Sequence, residues 1–249
     1  MPKVIGIIPS RYQSKRFPGK PLALIAGLPL IVRVFHTVED SSRLSQVYVA
    51  TDDQRIAETV QEYGGNVIMT SGNHHTGTDR VAEAARGLSA DYIINIQGDE
   101  PFLAGETVDK VVDTLDNPDI LMSSACSILK DGDDADNPNV VKVVLDNTGM
   151  ALYFSRSRIP YIRDGVQGSL KMYRHIGIYG FKRDFLFKLA ALERTPLEIA
   201  ESLEQLRALE HGYKIKMVIS NCDFLGIDSE ADLFKAEEIM SKREKKDAR

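Results

Sequence analysis

The sequence predicts an α/β fold, a mainly parallel sheet with helices on both faces. Short apolar runs alternate with amphipathic stretches through roughly the first 117 residues, the order expected of strand–helix–strand units. Two of the runs, VIGII at 4–8 and YIINI at 92–96, are apolar on both faces, as central parallel strands are. An apolar fraction of 43% over 249 residues is ordinary for a globular chain and supports a sizeable core.

The elements follow in chain order. Residues 4–8 form the first strand, ended by Pro9, and the apolar-rich stretch 30–38 the first helix. The run QVYVA makes 46–50 a strand, 54–63 reads as a helix and 66–70 as a strand. A helix over 79–88, a strand over 91–96 and a helix over 106–115 complete the regular half. Beyond residue 117 the alternation loosens. Residues 122–129 and 140–145 read as strands joined by the polar loop KDGDDADNPN. That loop is a solvated turn, because its carboxylates lack the spacing of an EF-hand. Residues 161–173 read as a loop or arm, 175–181 as a strand, 184–192 and 198–210 as helices, 214–220 as a strand and 231–245 as a closing helix. No internal repeat or long linker divides the chain, so one domain is expected, with an excursion in its second half.

A formal charge of −5 and a pI of about 5.6 argue against a general nucleic-acid binder but leave room for a small anionic substrate. Cys126 and Cys222 are too few for a disulfide framework and are expected to be reduced and buried. Lys3 leads into only five apolar-type residues before Pro9, so no signal peptide is expected. No apolar stretch approaches the ~20 residues of a membrane span. A cytoplasmic protein without membrane association is the expectation.

Against this acidic background the segment 9–22, PSRYQSKRFPGKPL, is cationic: Arg11, Lys15, Arg16 and Lys20, with no acid before Glu39. It follows the first strand and so lies at the carboxyl edge of the sheet, where open α/β folds bind ligands. It is not a P-loop, since Lys20 is followed by Pro21, and G-x-G-x-x-G is absent. Gly19 allows close approach to an anion, and Arg11 and Lys20 are placed to straddle phosphates. The alternative is a solvated basic surface loop. In Asn95–Pro101, NIQGDEP, an apolar strand ends in Gly98 and two carboxylates, Asp99 and Glu100. Carboxylates there suit Mg²⁺, which shares its positions between one or two carboxylates, waters and substrate phosphates. A helix N-cap is the alternative for either residue. Asp228 is either a second metal ligand or part of a helix start. Residues 76–80, TGTDR, open a helix and either offer N–H groups to a ligand or only cap it. His175, alone on an apolar strand, is more often structural than catalytic. Arg156 and Arg158 either bind a carboxylate or sit in salt bridges, and Glu204 and Arg207, at i,i+3, can pair with each other.

Taken together, R-Y-x-S-x-R-F-P-G-K-P-L, V-A-T-D-D, T-G-T-D-R, N-I-Q-G-D-E-P, V-K-V-V-L-D, A-L-Y-F-S-R, R-H-I-G-I-Y-G-F, S-L-E-Q-L-R and G-I-D-S-E-A-D-L occur in that order. The chain resembles the 3-deoxy-manno-octulosonate (Kdo) cytidylyltransferases, over residues 4 to about 240. The first loop and QGDEP are the most specific parts. The resemblance implies a nucleotidyltransferase, Rossmann-like α/β fold and a Mg²⁺-dependent reaction of CTP with Kdo that gives CMP-Kdo and pyrophosphate. It also implies a homodimer with a projecting dimerisation segment near residues 150–173. By position, Arg11 and Lys20 would contact the CTP phosphates, with Ser10, Thr76, Gly77 and Arg80 near the nucleotide. Asp99 and Asp228 would hold Mg²⁺. Gln97, Arg156, His175, Tyr179, Glu204 and Gln205 would line the sugar pocket. Ser10 stands where alanine is commoner, and Gln13 varies a loose position.

Competing expectations are a cytidylyltransferase for another acid sugar, a sugar-nucleotide-dependent glycosyltransferase and a non-catalytic nucleotide-binding regulator. Sialate enzymes carry Gly-Gly and Ser-Lys-Gly in the first loop, unlike this chain, whereas 8-amino-Kdo differs from Kdo at too few contacts to be separated by motif. Pyrophosphate release separates the enzyme from the other two classes.

Overall fold

The computed structural model describes residues 1–13, 17–129, 135–163, 170–221 and 225–247. Lys15, Arg16, Cys222, part of the acidic loop and part of the expected arm lie outside the described residues.

Strand β1 (Val4–Ser10) is buried on both faces and pairs in parallel with β4 on one side and β6 on the other. A short 3₁₀ turn (Lys20–Leu22) and a hairpin of β2 (Leu24–Ile25) and β3 (Leu28–Pro29) follow. The hairpin turns at Ala26 and Gly27, both at positive φ, the backbone of a tight two-residue turn. Then come α1 (Leu30–Glu39), β4 (Gln46–Thr51), α2 (Gln54–Glu62), β5 (Asn66–Met69), α3 (Gly77–Ala85), β6 (Tyr92–Ile96) and α4 (Gly105–Leu115). The second half contains β7 (Met122–Ile128), β8 (Lys142–Leu145), β9 (Ala151–Ser155), β10 (Tyr173–Lys182), α5 (Arg183–Ala190), α6 (Pro196–Glu201), α7 (Gln205–Glu210), β11 (Lys216–Ile219) and α8 (Glu230–Asp247).

The main sheet runs β11-β7-β10-β6-β1-β4-β5, with β8 and β9 attached beside β10. Every pairing along this path is parallel except those of β10, which is antiparallel to β6 and β7. Alternation along the strands feeds two cores. Val4, Ile8, Ile94 and Ile96 pack with α1, α2, α4 and α8, whereas Ile5, Ile7, Ile93 and Phe181 pack with α3, α5 and α7. The expected two-faced α/β sheet is thus present. Each fully buried Ile, Leu or Phe stabilises it by about 1.5–3 kcal/mol. Cys126 lies in the second core, where burial pushes its thiol up to about 12 and leaves it unreactive.

Three features depart from the sequence reading. The segment expected as one helix over 198–210 is two. Pro196 and a Thr195–Glu198 capping box start α6, and Ser202, at φ 52, ends it before α7 begins. The helix expected from residue 79 begins at Gly77, because Thr76 and Asp79 form a capping box. Residues 151–155 form β9, which the reading passed over; it pairs antiparallel with β8, and Leu152 points outward.

α4 packs its first residue directly on the end of α1. A Cβ on Gly105 would lie 2.7 Å from the Asp40 carbonyl carbon and the Ser41 nitrogen, backbone that has no rotamer to yield. Gly105→Ala should therefore lower stability by about 1–3 kcal/mol. Gly87→Ala, where a Cβ meets nothing within 4 Å, should stay within about 0.5 kcal/mol of the parent. Urea denaturation of both variants measures the difference; equal midpoints would show that the α1–α4 contact is not tight.

Candidate functional site

β1 and β6 are adjacent but separated in sequence by β4 and β5, so the chain changes direction across the sheet between them. Ligands of open α/β sheets bind outside the carboxyl ends of the strands at such a switch point. The residues following both strands line a cavity of about 1030 Å³ there: Pro9, Ser10 and Arg11 after β1, and Gln97, Asp99 and Glu100 after β6.

A bulge in β10 holds the β6 loop. Register shifts between Ile176 and Tyr179, freeing the Gly177 peptide from the ladder. The Gly177 carbonyl accepts from Gln97 N–H at 2.8 Å, and its N–H donates to Glu100 Oε1 at 3.2 Å. A Cβ at 177 would come within 2.9 Å of Gln97 Cγ, so this approach needs glycine. Neither Asp99 nor Glu100 caps α4, whose N-cap is Ala104, so that alternative falls. The chain then returns: Ile227 N–H donates to the Asp99 carbonyl at 2.9 Å, which lays Asp228 beside Asp99.

Lys20 joins these segments. Its Nζ donates to Asp99 Oδ2 and to the Ile227 carbonyl, both at 2.7 Å, and lies 3.8 Å from Asp228 Oδ1. One ammonium therefore stands between two carboxylates that remain partly open to the cavity. Two hard oxygen donors around a positive charge suit a small divalent cation. Among the described residues, no group of three or more His, Cys, Asp or Glu forms a closed cage. Asp228 precedes the α8 start: Asp232 accepts from Ser229 N–H at 2.9 Å and takes over the capping.

The Thr76–Arg80 loop is a genuine cap. Thr76 Oγ1 accepts from Asp79 N–H and Asp79 accepts from Thr76 N–H. The Thr78 N–H is engaged by Glu204 Oε2 at 3.0 Å. Thr76, Gly77 and Arg80 nevertheless line the cavity. Arg80 is buried, bonded to Thr70 Oγ1 at 2.6 Å and paired with Asp52 at 3.0 Å.

The expected sugar-pocket residues all line the same cavity. Gln97 Nε2 donates to Asn95 at 3.1 Å and approaches Glu204 Oε1 at 3.5 Å. Tyr179 donates to Gln205 Oε1 at 3.0 Å. Burial raises the Glu204 carboxyl and the Tyr179 phenol, so both favour their neutral forms. His175 lies under Phe154 and against Tyr179, with Nε2 2.9 Å from Ser124 Oγ, and burial pushes it down to about 3. That shift favours the neutral imidazole. Burial, then the neighbouring Asp99 charge, raises Glu100 to about 7. Ser10 Oγ, Glu100 Oε2 and Gln205 Nε2 are buried polar atoms without a protein partner, and all three belong to cavity-lining residues.

Arg156 lines the cavity and also braces its wall. It donates to the carbonyls of Glu201 (2.6 Å), Pro138 (2.9 Å) and Ser202 (3.4 Å). The fully buried Lys142 supports it by donating to the Arg156, Val140 and Asn137 carbonyls at 2.5, 2.6 and 3.0 Å. Arg158 sits in a salt bridge with Asp136, the second of its two alternatives. The Glu204–Arg207 pairing, the alternative reading of that helix, does not form. Arg207 turns inward to Glu198 (2.7 Å) and Asp79 (3.1 Å), tying α6, α7 and the α3 cap together. The sequence reading also missed Arg174, which lines the cavity one residue before His175. The signal was a charged residue at the start of a strand whose first residues line the site.

The chain matches the cytidylyltransferase family model over residues 5–215. It is 47% identical to the 3-deoxy-manno-octulosonate cytidylyltransferase of Trichlorobacter lovleyi, with 96% of this chain and 98% of the relative covered. The enzyme of the same name from Geobacter metallireducens is 46% identical, with 96% and 98% covered. A solved CMP:2-keto-3-deoxy-manno-octonic acid synthetase complexed with CTP superimposes with a TM-score of 0.89 at 38% identity, over 97% of this chain and 99% of that one. A glucose-1-phosphate thymidylyltransferase from Bacillus anthracis, at 13% identity and a TM-score of 0.68, covering 95% of this chain and 94% of its own, shares the nucleotidyltransferase fold. With nearly the whole length in agreement, the chain belongs to the 3-deoxy-manno-octulosonate cytidylyltransferase family.

Proposed function

We propose that this enzyme transfers the CMP moiety of CTP to the anomeric 2-hydroxyl of Kdo, releasing pyrophosphate and activating Kdo for lipopolysaccharide synthesis. The observation that carries the reading is the full-length kinship with enzymes of that name, in a chain whose cationic first loop and QGDEP loop meet in one cavity. The compartment is the cytoplasm; no helix among the described residues is long and apolar enough to cross a membrane. The working unit is a homodimer joined through the excursion near 150–173, a reading supported by the exposure of Leu152, Tyr161 and Leu170.

The reaction brings a carboxylate sugar to a triphosphate, so its obstacle is anion meeting anion. Attack by the 2-hydroxyl is in line at the α-phosphorus, with pyrophosphate leaving opposite. Arg11 and Lys20 balance phosphate charge at the edge of β1. Asp99 and Asp228 would hold Mg²⁺, for which their hard oxygens, open to the cavity and already flanking one cation, are suited. The chemistry such an ion supplies is neutralisation of phosphate charge and a lowered pKa for a coordinated hydroxyl. Gln97, Glu204, Tyr179 and Gln205 form a hydrogen-bonded set that orients sugar hydroxyls. His175 packs and orients the pocket as a neutral ring and moves no proton. No side chain is assigned as general base.

Pyrophosphate release with CTP and Mg²⁺, comparing Kdo, 8-amino-Kdo and N-acetylneuraminate, tests the assignment. Kdo should be turned over fastest, and release with none of the three would refute it. In the same assay Lys20→Ala should lower kcat on the order of 10²–10³-fold, the range for losing one preorganised donor. A loss below about threefold would make the loop a surface feature. Asp99→Asn should abolish most Mg²⁺-dependent turnover, and a variant with full Mg²⁺-dependent activity would remove Asp99 from the metal site.

The neutral His175 also has a stability signature. Its folded pKa, about 3, lies below the ordinary 6.5, so the stability gained from excluding the proton is present above pH 6.5 and is lost as pH falls toward 3. Relative to His175→Gln, wild-type unfolding free energy should fall by roughly 1.4 kcal/mol for each pH unit between 6 and 4. Urea melts at several pH values measure this. A constant offset between the two proteins would mean that His175 protonates in the fold.

A further inference from the structure

Arg11 and Lys20 stand at opposite ends of the cationic first loop, and the two ends are tied together outside the cavity. Gly19 N–H donates to the Tyr12 carbonyl at 3.0 Å, so the residue after Arg11 is bonded to the residue before Lys20. Gly19 is at φ 74, and a Cβ there would lie 3.1 Å from the Tyr12 hydroxyl oxygen and 3.2 Å from the ring carbon that carries it. The glycine backbone therefore lies against the hydroxyl end of the ring, in a conformation that other residues adopt only under strain. The ring itself packs on the core that holds α1 and α2.

A second element grips the ring. The guanidinium of Arg55, in the first turn of α2, lies over Tyr12 with its central carbon 3.4 Å from the ring centroid. Asp53 aims it, accepting from Arg55 Nε at 3.0 Å and from Nη2 at 2.7 Å, a bidentate pair. Asp53 is fixed in turn. It is the N-cap of α2, accepting from Arg55 N–H at 3.0 Å, and its own N–H donates to Thr51 Oγ1 at 3.2 Å. Thr51 is buried at the end of β4, in register with Ser10 of β1. A planar cation held by two parallel bonds is oriented to stack on an aromatic face. Neither Arg55 nor Tyr12 lines the cavity, whereas Arg11 does.

We infer that Arg55 is a positioning residue for the transfer. Through Tyr12 and Gly19 it fixes the span between Arg11 and Lys20, and so the spacing at which the two cations meet the triphosphate. The bonds of Lys20 to Asp99 and the Ile227 carbonyl set its ammonium alone. The Arg55–Tyr12 contact sets the backbone from which both cations extend. The Arg55 side chain is 57% exposed, and an ion pair so open to water adds little to global stability. Loss of this arginine is therefore felt in the loop and not in the fold. This assignment rests on the phosphate role proposed for Arg11 and Lys20.

Turnover of CTP and Kdo by wild type, and its fall in Lys20→Ala, are measured first. Absence of either would overturn the reading of the site, and proteolysis would still decide the tether. Arg55→Ala should lower kcat/KM for CTP roughly 3- to 10-fold, the strength of a partly exposed cation–π contact, and leave the KM for Kdo within about twofold. In a Tyr12→Leu background the same substitution should cost less than about 1.5-fold, because the two residues act as one unit. Tryptic cleavage between residues 11 and 19, located by mass, should speed up in Arg55→Ala while the urea midpoint stays unchanged, since local opening sets that rate. An equal fall in kcat/KM in both backgrounds would make Arg55 a support of α2 alone and overturn the assignment. Unchanged cleavage, or an unchanged kcat/KM for CTP, would overturn it as well.

Discussion

The Lys20 ammonium is the contact on which the site depends. It meets Asp99, 79 positions away, and Ile227, 207 positions away, and lies beside Asp228. Three segments with no local reason to associate converge on one charge. The carboxylates could not sit side by side in a partly desolvated cleft without it, because like charges at such range repel by kilocalories. The same electrostatic need makes the cluster receptive to a divalent ion and to phosphates. The ordering of the cleft and the chemistry proposed for it thus have one origin.

Around that cluster the fold uses buried polar groups as fasteners. Lys142 and Arg156 gather backbone carbonyls from the loop before β8, the end of β9 and the α6–α7 break. Arg207 binds Glu198 and Asp79, linking α6 and α7 to the α3 cap. Breaking such a group leaves a buried charge or carbonyl unpaired, which costs more than the bond itself is worth. The cavity wall is consequently stiff along this side. Three of the unpartnered buried polar atoms, on Ser10, Glu100 and Gln205, belong to residues that line the cavity.

Much of this was legible in the sequence because its signals are local. Apolar runs gave the central strands, and the cationic first loop and QGDEP pointed to the strand ends that form the cavity. What was not legible depends on distant partners or on backbone with no residue signature. The break at Ser202 lies at a serine in a left-handed conformation where glycine would have announced it. β9 shows its strand character mainly through pairing with β8. Arg207 has a carboxylate at helical spacing in Glu204, yet its partners are nine and 128 positions away.

The insertion of antiparallel β10 between β6 and β7 has a consequence for how the molecule is made. The ribosome delivers β6 and β7 well before residues 173–182, the only strand that can join them. Until then β1, β4, β5 and β6 can assemble as a small parallel sheet, while β7 waits with an unpaired edge. Asp228 emerges later still. The half of the cleft built on β1 and β6 can therefore take shape on the nascent chain, but Asp228 joins Lys20 and Asp99 only after residue 228 has been made.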